Sequence, residues 1–98
     1  MDTLVWPAAP AARARAHLAL DDALARGARD LVIDTRAVSR LSVADLRAFL
    51  AADRTLRWRG GRLQLTGLSP SNHRVLAAAG LFRPSGLAEA VDTFALAA

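Results

Sequence analysis

The residues able to do chemistry are few, and they gather around Asp34 to Asp45. Asp34 and Asp45 would place two carboxylates at one end of a sheet, but no histidine or further acid stands at a spacing that would pair with them for acid–base catalysis. His17 and His73 are far apart, and neither has an HxH or HxxxH companion. They read as surface or half-buried helix residues, not as metal ligands. Ser42 and Asp45 have the most telling spacing. A serine hydroxyl can accept a backbone N–H in the first turn of a helix, and an acid three residues later answers it and faces the positive end of the helix dipole. A phosphoryl group on Ser42 would be tolerated at such a helix start, but the plainer role is the cap. Thr35, Ser39 and the serines near residue 70 read as loop and capping residues. No cofactor and no metal are expected.

The elements that position these residues follow from hydrophobic pattern. Leu31-Val32-Ile33, flanked by Asp30 and Asp34, is β-rich and too short for a helix, so it reads as a buried strand. A polar segment from Thr35 to Leu41 leads to a helix from Val43 to about Trp58. Its Leu46, Phe49, Leu50 and Leu56 should face the sheet, and its Arg47 and Arg54 a different side. Asp53 and Arg57, four apart, can pair on an exposed face for about 0.3–0.5 kcal/mol. Gly60-Gly61 turns the chain into a strand at Arg62 to Thr66. A strand at Asp2 to Trp6, ended by Pro7, precedes a helix from about Ala11 to Arg26, with Ala16, His17, Leu20 and Leu24 on a thin apolar stripe. Gly27 closes that helix.

Further along, Ser69-Pro70 is a helix start in which Val75, Leu76 and Ala79 form the inner stripe and Gly80 the end. Phe82-Arg83 reads as a very short strand. A last helix should begin after Ser85, with Leu87, Val91 and Phe94 spaced i, i+4, i+7. Trp6 and Trp58 read as half-buried packing residues. Strands alternating with helices predict an α/β layer: a four- to five-stranded, mostly parallel or mixed sheet with about four helices largely on one side.

The strand Leu31-Val32-Ile33-Asp34, the loop after it and the helix start at Ser42-Val43-Ala44-Asp45-Leu46 resemble the STAS domain, the fold of bacterial anti-sigma factor antagonists. That family has an apolar strand ending in Asp or Asn, a loop, and Asp-Ser-(Ser/Thr)-Gly-Leu opening a helix. Arg59-Gly60-Gly61-Arg62-Leu63-Gln64-Leu65 is similar to the family's glycine turn and next strand. Leu68-Ser69-Pro70 with Val75 to Leu81 is similar to its next helix, and Leu87 to Phe94 to its terminal helix. The resemblance makes residues 1–98 one STAS-like domain whose N-terminal strand region, 1–10, is shortened from two strands to one. It also puts the family's phosphorylatable serine on Val43, which has no hydroxyl, beside the candidate Ser42.

What the resemblance implies is a non-catalytic module that docks an anti-sigma factor, some of which are serine kinases, here without the phosphoserine switch. Arg40, Ser42, Val43, Ala44, Asp45 and Arg47 would carry the docking. The alternative is the cytoplasmic STAS subunit of a phospholipid ABC-type membrane-transport complex. A third reading, ranked below both, is nucleic-acid binding, from Leu41 to Leu50 as a helix-turn-helix-like segment; Arg57, Arg59 and Arg62 around Trp58 resemble a basic stripe, but a helix end and a Gly-Gly turn explain them more simply. The shortened start would leave a sheet edge able to pair a second copy.

Composition bounds the rest. Ninety-eight residues, 53% of them apolar, suit one domain with a modest core. Cysteine is absent, which excludes disulfides and thiol chemistry and is compatible with the cytoplasm, the expected location. No apolar run approaches the roughly 20 residues of a membrane span, so no membrane insertion is expected. Every one of the 13 basic residues is arginine, and alanine abounds, the mark of a GC-rich genome. The net charge of +4 permits an acidic partner without demanding nucleic acid.

Overall fold

In the computed structural model, residues 2–78, 82–84 and 93–96 are described. In chain order they form β1 (Asp2–Val5), α1 (Pro10–Ala25), β2 (Asp30–Asp34), α2 (Val43–Trp58), β3 (Arg62–Thr66), α3 (Pro70–Ala78), β4 (Phe82–Pro84) and β5 (Thr93–Leu96). The five strands make one sheet in the order β1-β2-β3-β5-β4. The first three run parallel, and β5 is antiparallel to both β3 and β4. The mixed sheet expected from the sequence is therefore present. Three helices stand among the described residues where about four were expected.

Parallel neighbours require a crossover, and α1 and α2 supply the two that join β1, β2 and β3. Both crossovers step the same way across the sheet, so the right-handed rule puts both helices on the same face. Burial agrees. Leu31 and Ile33 of β2 and Leu63 and Leu65 of β3 are all at most 1% exposed, whereas Val32 and Gln64 between them are only half-buried. In register, Leu31 lies opposite Leu63 and Ile33 opposite Leu65, so the four form one apolar floor. Leu20 of α1, Phe49, Ala52 and Leu56 of α2 and Leu76 of α3 close over it in a single core. Each of the larger side chains contributes roughly 1.5–3 kcal/mol by leaving water.

Local signals account for the helix boundaries. Pro10 opens α1, where a missing N–H costs nothing. Gly27 follows that helix in the left-handed region, with φ +89°. Ser42 and Asp45 form a complete capping box, and α2 spans the residues that its cap predicts. Ser69 Oγ accepts the N–H of Asn72 at the start of α3.

Several expectations are corrected. Trp6 is fully buried, because its backbone N–H bonds to the Asp34 carbonyl and carries the ring beneath α1 and α2, against His17 and Phe49. Trp58 is 91% exposed, on the side of α2 away from the sheet. Asp53 is 3% exposed instead of lying on a solvated face. Its carboxylate takes Arg57 Nε at 2.7 Å and the backbone N–H of Leu63 at 3.3 Å, so it ties α2 to the start of β3. Phe94 belongs to β5, opposite Leu65, and not to a helix; the other two positions of that expected helix, Leu87 and Val91, lie outside the described residues. So do Ala79, Gly80 and the side chain of Val75.

Candidate functional site

The loop between β2 and α2 is held from two directions. Thr35, fully buried, donates both its backbone N–H (2.9 Å) and its hydroxyl (2.8 Å) to the carbonyl of Thr66 at the end of β3. Val38 turns back to bond the Thr35 carbonyl and buries its side chain in the core. From the other side comes Asn72 of α3, 4% exposed. Its amide donates to the Val38 carbonyl at 3.1 Å and its Oδ1 accepts the Leu41 N–H at 3.0 Å. One buried amide thus satisfies two loop groups that would otherwise be orphaned, each a potential cost of roughly 1–3 kcal/mol. The loop is a fixed ramp into α2.

At the head of the ramp, Ser42 Oγ accepts the N–H of Asp45 at 3.1 Å and the N–H of Ser42 donates to Asp45 Oδ2 at 3.0 Å. The Asp45 carboxylate, 1% exposed, also receives α1: Arg13 Nη1 donates to Oδ2 at 3.2 Å, and His17 Nε2 to Oδ1 at 3.0 Å. A carboxylate only accepts, so His17 must carry its proton on Nε2. Arg13 also spans to the carbonyls of Pro7 (3.3 Å) and Arg40 (3.4 Å). Burial raises the pKa of Asp45, but hydrogen bonds from the Ser42 backbone, His17 and the Ser42 hydroxyl, with the nearby Trp6 N–H, outweigh it and leave the carboxyl below its ordinary value. The Trp6 Nε1 itself makes no hydrogen bond of ordinary length.

The residues singled out in the sequence therefore divide. Arg40, Ser42, Val43, Ala44 and Arg47 are all exposed around the start of α2, with Val43 at 65%. Asp45 lies beneath them and faces α1. It can hold the surface in place but cannot touch a partner. Asp34 is occupied locally, accepting the Arg36 N–H at 2.9 Å beside the Arg36 guanidinium at 3.6 Å. Sequence reasoning missed Arg13, His17 and Asn72 as parts of the site. The Arg13–His17 spacing of four residues, on the helix before the motif, was the available signal; nothing local marks Asn72.

At the opposite end of α2, Arg59 Nη1 donates to the carbonyls of Leu24 (2.8 Å) and Ala28 (3.0 Å), while Arg29 Nε returns a bond to the Arg59 carbonyl at 3.0 Å. A cation on the last carbonyls closes the end of α1. Together with the Arg57–Asp53 pair, this shows that the basic run around Trp58 has structural duties that a nucleic-acid stripe would not need. Among the described residues, no group of three or more His, Asp or Glu side chains could hold a metal. No described helix is long and apolar enough to cross a membrane.

A family model described as "Mlab, STAS domain" matches residues 10–89, most of the chain and all of the site. The chain belongs to the STAS domain family. Searches of curated proteins and of solved structures found no match. Membership gives a general regulatory or binding module of a generally non-catalytic kind. The STAS frame of this chain keeps the strand, the ramp and the capped helix, with Val43 at the exposed first helical position.

Proposed function

We propose that this STAS domain is a non-catalytic, cytoplasmic docking module that engages a protein partner through Arg40, Ser42, Val43, Ala44 and Arg47, with Asp45 fixing them from below, and that it lacks the phosphoserine switch of the anti-sigma factor antagonists it resembles. The observation that carries this reading is Val43: the residue that the resemblance puts at the switch serine is exposed on the first turn of α2 and has no hydroxyl. The neighbouring Ser42 does not replace it, because its Oγ is already engaged as the helix cap. Phosphate there would also set about −1.5 to −2 charges beside the Asp45 carboxylate.

By resemblance the partner is an anti-sigma factor. A subunit of a phospholipid ABC-type transport complex is the second reading. It is favoured by a family description that names Mlab and no antagonist. A tagged pull-down from native lysate, read by mass spectrometry, separates them: an anti-sigma factor supports the first, and transporter subunits without one support the second. In either case R47E should cut recovery of the partner at least tenfold, the equivalent of about 1.4 kcal/mol. Unchanged recovery would remove Arg47 from the surface. Kinase treatment followed by phosphopeptide mapping should leave Ser42 unmodified; stoichiometric phosphate on it would overturn the switchless account.

A further inference from the structure

The inward side of α2 is complete: Asp45, Phe49, Ala52, Asp53 and Leu56 are all at most 3% exposed. The outward side has a composition of its own. At about 100° per residue, Val43, Arg47, Ala51, Arg54 and Trp58 fall within one stripe along the helix, about 80° wide, while Leu50 at its margin is half-buried and packs against the core. Val43 is 65% and Trp58 91% exposed, two of the four large apolar side chains exposed among the described residues. Arg47 and Arg54 are also exposed. Their separation of seven residues places them about 10 Å apart along the axis at nearly the same azimuth. Both acids of α2 point inward, where Asp45 meets Arg13 and His17 and Asp53 meets Arg57. The ridge therefore shows two guanidinium groups and no exposed carboxylate of its own helix, with an apolar residue at each end and the small Ala51 between.

We propose that this ridge, from the first to the last turn of α2, seats one amphipathic helix of a partner protein that presents two carboxylates two turns apart. The inference rests on the docking reading above and extends it from the helix start to Trp58. The ridge is about 22 Å long, the length of a helix of about 15 residues. Paired carboxylates at a seven-residue spacing on the partner would meet Arg47 and Arg54, whose planar forks suit them. Ala51 leaves room for close approach between the two, and Trp58 supplies the kind of exposed aromatic that anchors interfaces. A lipid surface fits less well, since an interfacial helix needs a continuous apolar face, and here the apolar ends are separated by arginine and alanine.

The full chain carries its own reporter, because Trp6 is buried and Trp58 is exposed, so burial of Trp58 will dominate any change in tryptophan emission. The probe is an 18-residue amphipathic Ala/Leu helix bearing two glutamates seven residues apart, with a matched peptide bearing lysines there as control. The glutamate peptide should shift the emission to the blue and bind at least tenfold more tightly than the lysine peptide. W58F should lose the signal, and R47E/R54E should invert the peptide preference while leaving the thermal unfolding midpoint in place. Equal binding of both peptides would overturn the proposal. So would a blue shift produced by phosphatidylglycerol vesicles but not by the peptide, or one produced by raising the protein concentration alone. In the pull-down, partner loss with R47E but not with W58A would leave the docking reading standing and sink the ridge. Retention with both variants would sink the ridge and remove Arg47 from the docking surface.

Discussion

Asp45→Ala should lower the unfolding free energy by about 2–3 kcal/mol at neutral pH, measured by urea denaturation. One change removes the carboxylate half of the capping box and strands Arg13, His17 and the Ser42 N–H together. The full cost of breaking a deeply buried pair, roughly 3–5 kcal/mol, is not expected. Arg13 and His17 are 18% and 30% exposed and regain water. The effect also has a pH signature. The folded pKa of Asp45 is lowered by its hydrogen bonds. Its contribution is therefore fully present above the ordinary carboxylate value of about 3.9 and is lost as pH falls through the folded pKa. The stability gap between wild type and variant should be widest near neutrality and should narrow below about pH 4. Equal stability at pH 7 would mean that the α1–α2 clasp contributes nothing.

Gly61→Ala should be at least as damaging, about 3 kcal/mol or more. A Cβ on Gly61 would lie 1.6 Å from the Arg29 carbonyl oxygen and 2.4 Å from its carbon. Both atoms are backbone at the entry to β2, so no rotamer change relieves the overlap. Gly60 is the instructive neighbour. Its φ is +79°, and its nearest obstacle is the end of the Arg29 side chain at 3.1 Å, which can move. A left-handed backbone strains any other residue by roughly 1–2 kcal/mol, so G60A has a cost, but one without a backbone collision. Denaturant midpoints should therefore fall further for G61A than for G60A. The reverse order would show that the β2–β3 backbone yields easily.

These two sites differ in how far the sequence disclosed them. Ser42 and Asp45 announce the cap by type and spacing, and α2 runs from Val43 to Trp58 as that signal and the Gly-Gly turn require. The Gly-Gly pair was legible as a turn, but which glycine is indispensable depends on Arg29, some thirty residues earlier, and only strand pairing brings it there. The same limit explains Asp53. At i, i+4 from Arg57 it looked like half of a surface pair, and what buries it is the Leu63 N–H at the head of the next strand. Phe94 shows the ambiguity of a short apolar series, which fits a helical period until β5 pairs it opposite Leu65. Trp6 and Trp58 looked alike in sequence because burial of a tryptophan is decided by the layer it meets, not by its neighbours along the chain. In the candidate site, the exposed residues were legible because they sit on the motif. The supports Arg13, His17 and Asn72 were not, since they come from the helices before and after it.

Helix α2 is fastened at both extremities, by Asp45 to Arg13 and His17 at one and by Arg59 to the carbonyls of Leu24 and Ala28 at the other. A rod pinned at two points can neither pivot nor slide. Whatever lands on its outer side meets a surface already in its final shape, so little ordering entropy is lost on the domain's side of the complex. The speed of capture is then set by diffusion and charge steering, and the lifetime of the complex by the contacts alone.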